Sequence, residues 1–397
     1  MKKTLIIAPK YPLSEADGSC MRTMNFVRYF KRFGQVDILC SKPDAFDPAL
    51  DNTFTERYFI NFSNNHKIKT SFIRRVVDKL VYLRSWYVNQ YTPEIEEYIR
   101  DIVIKGNYDH VLCRYIFQAY PLLVLDKELK HRIILDVDDV VTDSVYDAGT
   151  RHMTGFKRFN KMIDKYTLKR YYARCMTFGS ILFCSNDDIT TVNEAKTRSK
   201  SYIVPNVCPE IILPHHYRLE GYDYINTLLF VGTLKYEPNL QGIIWFIEKI
   251  FPELYGKFKD VRLIVAGRTP PEELISLVKK HPNIELYENP PDIMPFYNQC
   301  GLVIVPLCAG GGTRIKILEA GGANRPVIST AIGAYGLGLT EGMEVLMFND
   351  ASSFIAKYSQ LRSNREYYST MVSNLSMLIK REYSLSRFFQ CMDEVLQ

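Results

Sequence analysis

Short apolar runs alternate with stretches of helical periodicity along most of the chain. Runs at 4–8, 36–40, 110–113, 132–136, 180–184 and 202–204 read as a first series of strands. A second series follows at 227–231, 261–266, 284–287, 302–305, 327–329 and 345–348. Between them, 21–33, 157–177, 239–255 and 272–280 carry apolar residues at helical spacing. Strand and helix in strict alternation predict parallel sheets covered by helices. Two such series predict two doubly wound domains, 1–210 and 211–380. The break falls where Pro205, Pro209 and Pro214 cluster beside His215, His216 and Gly221. A last amphipathic helix at about 381–397 suits a return onto the first domain.

Open parallel sheets bind ligands beyond the carboxyl ends of their strands. Three loops stand at such ends. The segment 9–19, with Gly18 and Ser19, follows the first strand, and Arg22 opens the next helix. Residues 232–239 follow the first strand of the second series. Gly310, Gly311 and Gly312 follow its fourth strand and lead into Thr313, Arg314, Lys316 and Glu319. Consecutive glycines let backbone N–H groups turn toward one point at a helix start, where anions are favoured. Two cations beside that point suit a diphosphate, and Glu319 one turn on suits a sugar hydroxyl. Two domains facing across a cleft would bring the three loops together.

Charge refines this picture. The chain of 397 residues has a net charge of +6. Residues 1–210 hold 32 Lys and Arg against 25 Asp and Glu, leaving the remainder near neutral. The basic half suits an anionic acceptor or membrane surface. Nine cysteines with no Cys-x-x-Cys pair read as buried thiols in a reducing compartment. The seven histidines show no metal-ligand spacing. The apolar start is too short for a secretory signal, and no run approaches the roughly 20 residues that span a bilayer. The expected location is cytoplasmic, with a contact at the inner membrane face compatible with the basic half.

The region 228–349 resembles the C-terminal half of family 4 glycosyltransferases, which have the GT-B fold. The matching stretches are Leu-Phe-Val-Gly-Thr-Leu from 229, Leu-Ile-Val-Ala-Gly-Arg at 263–268 and Val-Pro-Leu-Cys-Ala-Gly-Gly-Gly-Thr-Arg-Ile-Lys-Ile-Leu-Glu-Ala at 305–320. Arg-Pro-Val-Ile-Ser-Thr at 325–330 and Gly-Ala-Tyr-Gly-Leu at 333–337 follow in family order. The N-terminal half is similar more loosely, through 9–18, 182–186 and 204–206. The resemblance implies transfer of a sugar from a nucleotide-diphosphate donor, with retention of configuration and no required metal or other cofactor. It places the donor in the C-terminal domain and a glycan or lipid-linked acceptor in the N-terminal one. Gly311, Gly312 and Thr313 would meet the donor through backbone N–H groups. Arg314 and Lys316 would neutralise the leaving phosphates, and Glu319 would hold the ribose. Gly232, Thr233 and Lys235 would complete the donor side. Two positions depart from the family: Gly311 stands where many members carry a first glutamate, and Thr233-Leu234-Lys235 holds one cation where the family usually has two.

Asp136, Asp138 and Asp139 end one apolar run of the first series. A carboxylate here is able to orient or deprotonate an acceptor hydroxyl, to hold a divalent ion, or to cap a helix. By the resemblance, Asp138 falls where many members have a histidine near the reacting sugar. No protein nucleophile is implied, and the leaving phosphate can assist deprotonation. The segment 71–91 interleaves aromatic and aliphatic residues with Arg74, Arg75, Lys79 and Arg84, and Lys157, Lys161, Lys165 and Lys169 recur along one helix side. Both patterns suit anionic head groups, but the first suits an ordinary core-facing helix with charged flanks rather better, and the second a solvated helix face. Competing functions are a nucleotide-sugar epimerase of the same fold and a donor- or partner-binding protein without turnover. No basic stripe accompanies a nucleic-acid reader fold. The first loop lacks the Gly-x-Gly-x-x-Gly of a nicotinamide site.

Overall fold

The computed structural model describes residues 1–12, 18–43, 52–61, 88, 90–138, 155–193, 199–209, 219–310 and 313–397. Asp139, Gly311, Gly312, residues 210–218 and nearly all of 71–91 lie outside the described residues. The chain divides into two compact units, Met1–Pro205 with Phe389–Gln397, and Asn206–Phe388.

The first unit is built on a parallel sheet of seven strands: β1 (Lys2–Lys10), β2 (Gly34–Ser41), β3 (Arg57–Ile60), β4 (His110–Arg114), β5 (Ile133–Val137), β6 (Ser180–Phe183) and β7 (Lys200–Ile203). Their spatial order is β3-β2-β1-β4-β5-β6-β7. Six of these strands match the apolar runs. The edge strand β3 was not foreseen: Arg-Tyr-Phe-Ile is short and begins with a charge, so its strand character comes from pairing with β2, where Ile38 lies opposite Arg57. The final helix, Leu385–Val395, contributes to this unit. There Tyr29 donates a hydrogen bond of 2.7 Å to Asp393, and its ring meets Phe389 edge-on.

The second unit holds a parallel six-stranded sheet: β8 (Thr227–Thr233), β9 (Arg262–Arg268), β10 (Ile284–Glu288), β11 (Leu302–Val305), β12 (Val327–Ser329) and β13 (Leu346–Met347), ordered β10-β9-β8-β11-β12-β13. All six were legible as apolar runs. Their continuity has a simple cause. Leu228 and Phe230 enter one core cluster while Leu229 and Val231 enter another. Strand residues alternate faces, and helices bury both faces, so the central strands are apolar on both.

The single helix expected at 239–255 is interrupted. Glu237–Trp245 passes through one π-helical turn, Phe246–Ile250, into Phe251–Lys257. Pro252 has no N–H to give the preceding turn, which accounts for the widened ladder.

Candidate donor and acceptor sites

In the second unit the strand β11 ends at Val305, and the chain reaches Gly310 with φ +108°, a conformation that side chains resist. The helix Ile315–Gly322 then begins. Arg314 stands at its N-cap and folds back, donating from Nη2 to the Gly310 carbonyl at 2.7 Å and the Ile332 carbonyl at 3.5 Å. The guanidinium therefore shapes the loop as well as charging it.

Lys316, the second residue of the helix, is buried. Its Nζ donates to Asn239 Oδ1 at 2.8 Å and lies 4.3 Å from the centre of the Phe230 ring. Burial, then repulsion from Arg314, push its ammonium down to about 7, against attraction from Glu319. Glu319 is buried on the same helix and accepts a hydrogen bond of 2.9 Å from the Tyr297 hydroxyl. Burial raises its carboxyl above the ordinary range, opposed by Tyr297 and Lys316.

Gly232 and Thr233 end β8 beside this cluster. A Cβ on Gly232 would come within 2.8 Å of Asn239 Nδ2 and 3.3 Å of Lys316 Nζ, so glycine is what lets the strand end approach. Lys235 is exposed on the turn that follows. Thr313 is half-buried next to Arg314. The structure thus gathers Gly232, Thr233, Arg314, Lys316 and Glu319 at one end of the sheet. Asn239 and Tyr297 were missed. The one available signal for Asn239 was an amide at a position that helical periodicity buries.

The first unit has its own polar cluster at the carboxyl ends of β1, β4, β5 and β6. Arg22, on the helix Gly18–Lys31, donates from Nη2 to Asp136 Oδ1 at 2.6 Å and from Nε to Oδ2 at 3.0 Å. Arg114, the last residue of β4, also donates to Asp136 and reaches Asp138 Oδ2 at 3.0 Å and the Ser19 carbonyl at 3.2 Å. The Cys184 thiol lies 3.4 Å from Asp138 Oδ1. Arg22, Arg114 and Asp136 are fully enclosed, while the Asp138 side chain keeps 12% of its surface exposed. Burial alone would raise the Asp138 carboxyl; Arg114 and Arg22 outweigh it and hold the group below the ordinary range. Tyr115 follows Arg114 with φ 66° and ψ 135°, a strained conformation for an aromatic residue. Gly18 and Ser19 open the adjacent helix, so Gly18, Ser19, Arg22 and Asp138 share one region. Arg114, absent from the expected set, is its hub. Arg22 acts through the two carboxylates that it holds.

Among the described residues no helix is long and apolar enough to cross a membrane. Eight of the cysteines are buried free thiols and Cys308 is exposed.

Comparison with known proteins is consistent with this geometry. A curated relative from Klebsiella pneumoniae, an uncharacterized 44.6 kDa protein in a cps region, is 26% identical over 302 residues, covering 73% of this chain and 75% of the relative. Sucrose-phosphate synthase from Thermosynechococcus elongatus has a similar structure, with a TM-score of 0.71 at 12% identity over 100% of this chain and 98% of that one. Anabaena HepE in complex with UDP-glucose gives a TM-score of 0.69 at 12% identity, over 100% and 99%. At such identities the structural likeness establishes the fold. Residues 225–364 match the family described as glycosyl transferases group 1. That match, which contains β8, the glycine-rich loop, Arg314, Lys316 and Glu319, together with the two-domain Rossmann-like fold, supports a glycosyltransferase of the GT-B type.

Proposed function

We propose that the protein transfers a sugar from a nucleotide-diphosphate donor to a glycan or lipid-linked acceptor, with retention of configuration, as a family 4 glycosyltransferase of polysaccharide or glycolipid biosynthesis. The observation that carries this reading is the burial of Arg314, Lys316 and Glu319 along one helix start within the matched region. Two adjacent cations neutralise a diphosphate and the charge that grows on it as the sugar departs; such fixed electrostatics often supply the largest share of catalysis. Thr313, Gly311 and Gly312 add backbone N–H groups. Gly232 and Thr233 face the donor from the end of β8, and Lys235 from the turn that follows. Glu319, oriented by Tyr297, accepts hydrogen bonds from ribose hydroxyls.

On the acceptor side, Asp138 with Gly18, Ser19 and Asp139 receives the attacking hydroxyl, and Arg22 acts through the carboxylates it holds. A carboxylate held ionised by two arginines is a weak base. Asp138 therefore orients the hydroxyl by accepting its hydrogen bond, and a departing phosphate oxygen takes the proton. UDP is the first donor nucleotide to test, since HepE was solved with UDP-glucose. The cps region in the name of the Klebsiella relative favours a surface polysaccharide. Contact with an anionic membrane is supported by the helix Gly155–Cys175, which exposes Phe159, Met162 and Tyr166 at 54%, 64% and 56% beside Lys161, Lys165 and Lys169.

Calorimetric titration with UDP, GDP, ADP and their sugars, without added metal, tests the donor site. Selective binding of one nucleoside diphosphate is expected. Binding of none would refute the reading. Sugar release that requires an acceptor separates transfer from epimerisation.

A further inference from the structure

Lys316 and Asn239 stand 77 positions apart and meet inside the second unit. The Asn239 side chain is a bridge. Its Oδ1 accepts from Lys316 Nζ at 2.8 Å, and its Nδ2 donates to the Thr233 carbonyl at 3.0 Å. One end of the amide is thus anchored to the last residue of β8, and the other fixes the ammonium. Two further neighbours of Nζ, Phe230 and Gly232, are also uncharged. The charged groups acting on it are Arg314, which repels it, and Glu319, which attracts it but is itself engaged by Tyr297. Burying a cation beside another cation, with a neutral amide as its hydrogen-bond partner, is unfavourable. An aspartate of the same shape at 239 would supply a counter-charge. Asparagine supplies direction without it.

We propose that Asn239 is a positioning residue of the donor site, which holds Lys316 at the end of β8 through a neutral amide rather than a carboxylate, so that an arriving diphosphate brings the counter-charge. This inference rests on the donor-site reading above. Its consequence is proton uptake. In the free protein burial and Arg314 leave the Lys316 amine largely neutral above about 7. A diphosphate next to it favours the ammonium, so the amine lone pair takes a proton that the buffer releases. The ligand's terminal phosphate, with a pKa near about 6, has already lost its own proton under these conditions.

The test is calorimetric titration of the full chain with UDP at about pH 8, in two buffers of very different ionisation enthalpy. The dependence of the observed heat on that enthalpy counts protons exchanged; about one is expected to be taken up in the wild type. Lys316→Arg remains charged throughout and should take up about none, which isolates any proton moved at Glu319. Asn239→Asp places a carboxylate on Nζ before UDP arrives, so uptake should fall toward none and UDP affinity should drop about tenfold or more. Thermal melting of Asn239→Asp confirms that the variant is folded. Equal heats in both buffers for the wild type, or wild-type uptake in Asn239→Asp, would overturn the proposal. UDP binding without proton uptake removes only the bridge; failure of UDP, GDP and ADP alike to bind removes the donor site and this inference together.

Discussion

Replacing Lys316 with methionine removes a buried cation while preserving most of the side-chain length, and the response of stability to pH can be worked out in advance. The Lys316 ammonium is held at about 7 in the folded protein, against an ordinary 10.5 that the unfolded chain recovers. Between those values the unfolded chain binds one proton more than the folded chain, so stability rises with pH across that window. Below about 7 both states are protonated and the penalty is fully present. At about 1.36 kcal/mol per pKa unit, the penalty has an upper bound of ~5 kcal/mol. Methionine escapes it but leaves Asn239 Oδ1 without the donor it has at 2.8 Å. That loss offsets about 1–3 kcal/mol. At about pH 6 the variant should therefore be the more stable protein, by ~2 kcal/mol. For a unit of this size the gain corresponds to a melting point higher by about 4–8 °C. At about pH 10 the penalty falls to ~1 kcal/mol, no more than the loss at Asn239, so the advantage of the variant is lost and the order tends to reverse. Scanning calorimetry of wild type and Lys316→Met at both pH values measures this change. A melting-point difference that stays constant between the two would refute the reasoning, because only a proton-linked penalty varies with pH.

Other substitutions separate charge, orientation and architecture. Arg314→Ala should weaken UDP binding by about 1.5–3 kcal/mol, roughly ten- to a hundredfold, measured by calorimetry, since it removes both a cation and the hydrogen bond that holds Gly310. Asp138→Ala should leave UDP affinity within about twofold and depress transfer to acceptor, read from turnover with a saturating donor; a parallel loss of nucleotide binding would contradict its place on the acceptor side. Tyr297→Phe removes the hydrogen bond that opposes burial at Glu319 and so raises that carboxyl further. The acid limb of nucleotide binding should move to higher pH, and an unmoved limb would show that Glu319 does not contact the ligand.

The chain's own pattern determined the class of fold and the heart of the candidate donor site. Strands such as Leu302–Val305 are apolar at every position because both faces of the sheet are covered, which separates them from the helices without any tertiary information. Arg314, Lys316 and Glu319 share one helix start, so their proximity is a matter of local periodicity. The strand Arg57–Ile60 is not legible in the sequence, because its identity depends on its neighbour β2. What only tertiary structure decided are the contacts between strand ends. Asn239 reaches Lys316 because β8 lies beside β11 despite the two strands that intervene in sequence. Arg114 gathers Ser19, Asp136 and Asp138 because β4 sits between β1 and β5. Parallel sheets bring distant carboxyl ends together through crossover connections, and that long-range order leaves no local trace in composition or spacing.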